Sequence, residues 1–287
     1  MGSRRPAVAG YFYPSSARDC TELIAQLAPR FDPPAEPARP VAGIVPHAGW
    51  VYSGATALKT LQAIAQKRKP ETVVIFGAVH SWYGRKSSVY ARGAWDTPFG
   101  PVEIDEPLAR RILEAAAELA EEEPGAHSRE HSIEVEVPLI KHLFPQAKIV
   151  PIMVPPAENA HQLGERAGKV VAAEQREIVF LGSTDLTHYG PRYGFTPVGI
   201  GPKALEWAKK QNDHRLISLA LEMKASEVVP EASNSISACG PGALAATVAA
   251  ARELGAQRGI LLEHTTSCEV RPERSIEDFV GYAAILY

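Results

Sequence analysis

The sequence predicts an α/β fold, a single domain whose mostly parallel central sheet is flanked by helices. Three observations carry this. Short apolar, β-branched runs occur without polar alternation, as in strands buried on both faces. They alternate with amphipathic stretches of helical period. The 287 residues, 45% hydrophobic and 22% charged, are enough for a self-sufficient core.

Ser16 followed by Asp19 reads as a helix start. Leu23, Ile24 and Leu27 give the stripe of a first helix over 16–28, stopped by Pro29. Residues 29–40 are too rich in proline to be regular and read as a connector. Then come a strand Val41–Val45, a helix over 53–67, a strand Thr72–Ala78 and a helix over 106–121. A strand Ile149–Val154, a helix over 158–174 and a strand Ile178–Leu181 repeat the alternation. Helices over 203–222 and 240–254 precede two closing runs, Gly259–Leu262 and Phe279–Leu286, that can complete the sheet.

Thirty basic against 33 acidic residues leave a net charge of −3, so no general basic field draws nucleic acid or an anionic membrane. No apolar tract approaches the roughly 20 residues of a membrane helix, and residues 1–14 lack a signal-peptide core. Three widely spaced cysteines do not form a disulfide framework, and a reducing, cytoplasmic setting is expected. No Walker motif, complete dinucleotide fingerprint or nucleophile elbow occurs.

Three apolar strands end in histidine within a few residues: His47 in Pro-His-Ala-Gly, His80 in Gly-Ala-Val-His, and His188 in Ser-Thr-Asp-Leu-Thr-His. Open α/β sheets bind ligands beyond the carboxyl ends of their strands, so His47 and His80 are metal-ligand candidates. Cys239 stands just before the apolar helix starting near Pro241, where the helix dipole favours a thiolate. A small buried residue at a tight turn is the plainer reading of Cys239. Cys20 and Cys268 lack such settings and read as structural, Cys268 in a loop.

Asp185 and His188 are three apart and suit a proton relay or partners that orient ligands. His131 belongs to the segment His127-Ser-Arg-Glu-His-Ser-Ile-Glu-Val-Glu136, with Ser132 a plausible helix cap. This segment either faces a cavity or places at least one of Glu130 and Glu136 on a solvated helix face. His142, His161, His214 and His264 read as structural, His264 in a loop with Glu263 as its one charged neighbour.

Residues 6–14, Pro46–Gly49, Glu130–Val135, Ser183–Tyr189, Cys239-Gly240 and Gly281–Ala284 together resemble the Memo family, called in prokaryotes the AmmeMemoRadiSam system protein B group. The motifs run in the family's order along essentially the whole chain. The resemblance implies a fold similar to the class III extradiol dioxygenases, which hold non-haem iron by two histidines and a carboxylate. It implies a metal site at His47, His80 and Cys239, with Asp185, His188 and His131 close by as catalytic groups. Two departures from the family pattern stand out: a single histidine, His80, follows the second strand, and Gly-Pro-Gly-Ala follows Cys239.

The resemblance also implies radical-SAM and AMMECR-type partners, or a small-molecule or peptide ligand in the cleft. A thiolate in place of a carboxylate shifts the expected chemistry toward a redox-active iron or copper centre. The alternatives are a peptide- or partner-binding module using the same cleft and a zinc-dependent hydrolase.

Overall fold

A computed structural model describes residues 2–81, 84–272 and 275–287. Four parallel strands form its centre, in the spatial order Ala42–Val45, Ile178–Ser183, Thr72–Gly77, Lys148–Met153. Apart from Lys148 their residues are buried, as strands covered by helices on both faces must be. Phe76 and Phe180 stack across the middle with ring centroids 5.5 Å apart.

The sheet is mixed at its flanks. Phe279–Leu286 runs antiparallel to Ala42–Val45 and is itself met by Ile260–Thr266 and His188–Tyr189, both antiparallel. On the far side Ser87–Val89 runs antiparallel to Lys148–Met153, and Ala120–Glu122 lies parallel beyond it. Ser3–Arg4, Ala94–Trp95 and Val102–Glu103 form a separate small sheet.

The first helix, Ala17–Leu27, is capped by Ser16, whose hydroxyl accepts from the Asp19 N–H at 3.1 Å. The next begins at Trp50, three residues earlier than expected, because the Trp50 N–H finds the Phe12 carbonyl at 2.8 Å and its ring is buried. The helix expected over 106–121 stops at Ala115. Its last residues, helical by propensity, are drawn into the edge strand Ala120–Glu122 by pairing with Ser87–Val89. The helix expected over 203–222 is three pieces, with a π-helical turn Ala208–Asp213 between Pro202–Trp207 and His214–Leu221.

Two helices, Val137–Leu143 and Ala225–Ser235, were not foreseen; a proline lies in each. Gly259–Leu262 is replaced by a longer strand, Ile260–Thr266, which puts His264 in the sheet rather than a loop. Its Nε2 lies 2.9 Å from the buried Asp213, so its charged partner is Asp213 and not Glu263. Cys268 sits in the short helix Ser267–Val270 rather than a loop, and Cys20 is buried with Sγ 3.1 Å from the Pro14 carbonyl.

Helices Ala160–Ala172 and Pro241–Glu253 pack at close range through small residues. A Cβ on Gly164 would lie 2.0 Å from the Ala246 carbonyl oxygen, and one on Gly168 3.1 Å from Ala250 Cα. Gly164→Ala in a free helix would add about 1 kcal/mol of stability. Here it forces the backbones apart, and urea denaturation should show a net loss of about 1–3 kcal/mol. A variant as stable as the parent would mean that the two helices are not so close in solution.

Candidate metal centre

His47, His80 and Asp185 follow three neighbouring parallel strands and so emerge at one edge of the sheet. Gly77 lets a further segment join them. A Cβ there would meet Ile133 Cγ1 at 2.3 Å, so only glycine allows the turn Glu130–Glu134 to lie flat on the strand end. The nitrogens of His47, His80 and His131 can thereby lie within 4.8 Å of one another. The donors of His47, Asp185 and Cys239 form a second group on the same criterion. His47 is common to both, and among the described residues no such group contains His80 and Cys239 together.

The His47 ring has one assignable orientation. Ser183 Oγ donates to the Ser132 carbonyl at 2.6 Å, so its hydrogen is committed. It therefore accepts from His47 Nδ1–H at 2.9 Å, and the lone pair falls on Nε2, 3.1 Å from Cys239 Sγ. Asp185 accepts from the His47 backbone N–H at 2.7 Å and fixes the loop. Burial, aided by the charges of His80 and His131, drives the His47 pKa well below its ordinary value, so the ring is neutral.

Glu130 organises the other two imidazoles. Its carboxylate, 1% exposed, accepts from the His80 N–H at 2.9 Å, from the His80 ring Nδ1 at 2.8 Å, and from the N–H groups of His131 and Ser132, each at 2.9 Å. Burial alone would raise its pKa. The bonds from His80 and the backbone outweigh that and hold it far below the usual carboxylate range. The same bonds overcome burial at His80 and raise its pKa. His131, buried and beside His80, is lowered to about 4.

The idea that Glu130 or Glu136 lies on a solvated helix face is therefore corrected: both are buried, because residues 132–136 turn inward before the helix Val137–Leu143 begins. Burial and the Asp185 charge push the Glu136 carboxyl well above its ordinary value. Ser132 caps no helix; its hydroxyl donates to the Ala78 carbonyl at 3.1 Å. The sequence offers the cavity-facing alternative for the segment holding Glu130 and Glu134, and it assigns neither of them nor Ser183 the role of orienting a ligand. No helical or strand period marks a glutamate that binds the N–H groups of its own neighbours.

Cys239 also behaves differently from the expectation of a lowered pKa. The helix does begin at Pro241. Burial and the nearby Asp185 carboxylate outweigh the helix start, and the thiol is raised well above its ordinary value. Asp185 is likewise raised, since burial exceeds the opposing effects of His188 and the His47 and Ala48 N–H groups. His188 lies outside both donor groups. Its Nδ1–H donates to the Leu186 carbonyl at 3.0 Å, and its ring meets Tyr193 edge-on at 5.0 Å.

Imidazoles of which two, His47 and His80, are oriented through a ring nitrogen, together with a cysteine sulfur, suit a metal ion with some softness: zinc, copper or iron. Partners on the far ring nitrogens, Ser183 for His47 and Glu130 for His80, are what ligating histidines require. The donor set therefore fits a metal.

The chain matches the family described as Memo-like protein over residues 4–286. It is 36% identical over 291 residues to a MEMO1 family protein of Thermococcus onnurineus, covering 99% of each chain. It is 37% identical over 290 residues to one of Pyrococcus furiosus, covering 99% of this chain and 98% of the relative. A solved structure, an uncharacterized protein of Escherichia coli K12, shares the fold with a TM-score of 0.55 at 13% identity, over 87% of this chain and all of the other.

Proposed function

We propose, from the premise that the chain belongs to the Memo family, that it is a metal-dependent redox protein. His47 would be the shared ligand of iron or copper, joined by Cys239 from one donor group and by His80 and His131 from the other, rather than by His80 and Cys239 as one triad, with Asp185 and His188 serving proton movement. The observation that carries this reading is the His47 Nε2 lone pair, aimed by Ser183 at a sulfur 3.1 Å away and bordered by two more imidazoles. When bound, such an ion supplies one-electron chemistry tuned by a thiolate.

The protein's own groups hold the parts in place. Ser183 fixes the His47 tautomer, and Glu130 keeps the His80 Nδ1 proton away from the site. Asp185 anchors the His47 loop. The His188 Nδ1–H is spent on the Leu186 carbonyl, which fixes the ring, and Nε2 has no hydrogen-bond partner among the described residues.

Elemental analysis of protein purified without oxygen, with electron paramagnetic resonance of the bound ion, tests the reading. Iron or copper at about one per chain supports it. Zinc alone would move the reading to Lewis-acid hydrolysis, and no retained metal would move it to a binding module. Asp185→Asn and His188→Ala should each weaken metal retention or oxygen consumption roughly 10- to 100-fold with the fold intact. Unchanged metal content and turnover in both would reduce them to loop-capping residues.

A further inference from the structure

His131 differs from its two neighbours. Its Nδ1 lies 3.7 Å from Glu130 Oε1, too far for a hydrogen bond, so no such bond aims the ring as Ser183 aims His47 and Glu130 aims His80. Ring contacts surround it instead: His47 meets it edge-on at 5.5 Å, and Phe12 is tilted to it by 49°. His80 stacks on it with centroids 4.5 Å apart at 21°, and Phe12 covers it at 4.7 Å.

Phe12 is held from a distance. Glu134, 2% exposed, accepts from the N–H groups of Ala7 and Val8 at 2.8 Å, from the Tyr13 hydroxyl at 3.0 Å and from Arg4 Nη2 at 2.7 Å. The segment gripped in this way delivers the Phe12 carbonyl to the Trp50 N–H, at the helix start just after the His47 loop. Arg4 also donates to the carbonyls of His127 at 2.7 Å and Glu130 at 2.8 Å, behind the turn that carries the Glu130 carboxylate.

We infer that Glu134 and the segment Arg4–Tyr13 are positioning elements of the imidazole cluster, which aim His131 through Phe12. The functional consequence rests on the metal-centre reading above; the geometric claim does not. Without Phe12 the His131 ring loses a packing partner and, among the described residues, has no hydrogen bond to hold it, and it turns away from His80. Without the Glu134 side chain the Ala7 and Val8 N–H groups and the Tyr13 hydroxyl lose their acceptor, Arg4 keeps only the His127 and Glu130 carbonyls, and the segment carrying Phe12 is released.

The test uses the full chain, metal-free and then titrated with cobalt(II). In the metal-free protein the nuclear Overhauser contact between the His80 and His131 ring protons should be present in the parent and lost in both Glu134→Ala, which removes every acceptor of the segment's grip, and Phe12→Ala. Cobalt affinity should fall roughly 10- to 100-fold in each. A contact retained in both variants overturns the inference. A lost contact with unaltered affinity overturns its functional half by removing His131 from the donor set. If Glu134→Ala does not unfold cooperatively in urea, Phe12→Ala, which leaves every Glu134 bond in place, decides alone. A parent that binds no cobalt sinks the metal-centre reading, and the ring contact still decides the positioning.

Discussion

Cys239→Ser should remove most of the protein's affinity for copper or iron, by more than the roughly 10- to 100-fold that loss of a ligand-orienting partner costs. The sulfur lies 3.1 Å from the oriented lone pair of His47 and is the soft donor of the site. Burial and Asp185 already keep its proton on in the metal-free state, so binding must displace that proton. A thiol beside a cation gives it up. A serine hydroxyl ionises far less readily and remains a weak ligand. Anaerobic titration of the parent, Cys239→Ser and Cys20→Ser under reducing conditions checks this. Cys20 is the control, a buried thiol spent on the Pro14 carbonyl. Equal affinities in all three would take the sulfur out of the donor set and shift the function toward a binding module.

The edge of the sheet that carries the site is legible in the sequence because parallel strands share a direction. His47, His80 and Asp185 each follow a continuous apolar run, and runs that pair in parallel bring their ends to one side. Cys239 is legible for a related reason, since glycine and proline after it mark a helix start. The balance of forces on that thiol is not. A helix terminus acts over a short sequence, whereas Asp185, whose charge opposes it, lies 54 positions away.

Glu130–Glu136 shows a second limit. Three acidic residues spaced four and two apart look like a polar face, and all three are buried. Each is accommodated by partners remote in sequence, Glu130 by His80 and Glu134 by Arg4 and Tyr13, or by neutralisation, as at Glu136. Burial of such groups is a property of pairs and networks, and a single sequence does not display those pairings. The mixed flanks of the sheet have a similar origin: Ser87–Val89 and Ala120–Glu122 are three-residue strands that exist because they pair.

His127, which the sequence marks only as the first residue of the segment ending at Glu136, should set the acid limit of the fold. Its ring is fully buried edge-on to Tyr90 and Trp95, with Nε2–H donating to the Ser88 carbonyl at 3.1 Å and Nδ1 lacking a partner among the described residues. Burial, with Arg4 adding to it and against the Ser88 bond and Glu130, lowers its pKa from 6.5 to about 3. Between those values the unfolded chain binds a proton that the folded chain refuses. The contribution is therefore intact above pH 6.5 and is lost as the pH falls toward 3, at about 1.4 kcal/mol per pH unit. His127→Phe keeps a ring against Tyr90 and Trp95 but cannot titrate. It should be less stable than the parent at pH 7.5 by about 1–3 kcal/mol, the cost of leaving the Ser88 carbonyl unpaired. Its stability should then fall less steeply with acid, so that urea-unfolding curves of the two proteins converge or cross near pH 4. His47 and His131 add the same acid dependence to both and cancel in the difference. Parallel stability profiles from pH 7.5 to 4 would mean that water reaches the His127 ring and protonates it in the folded state.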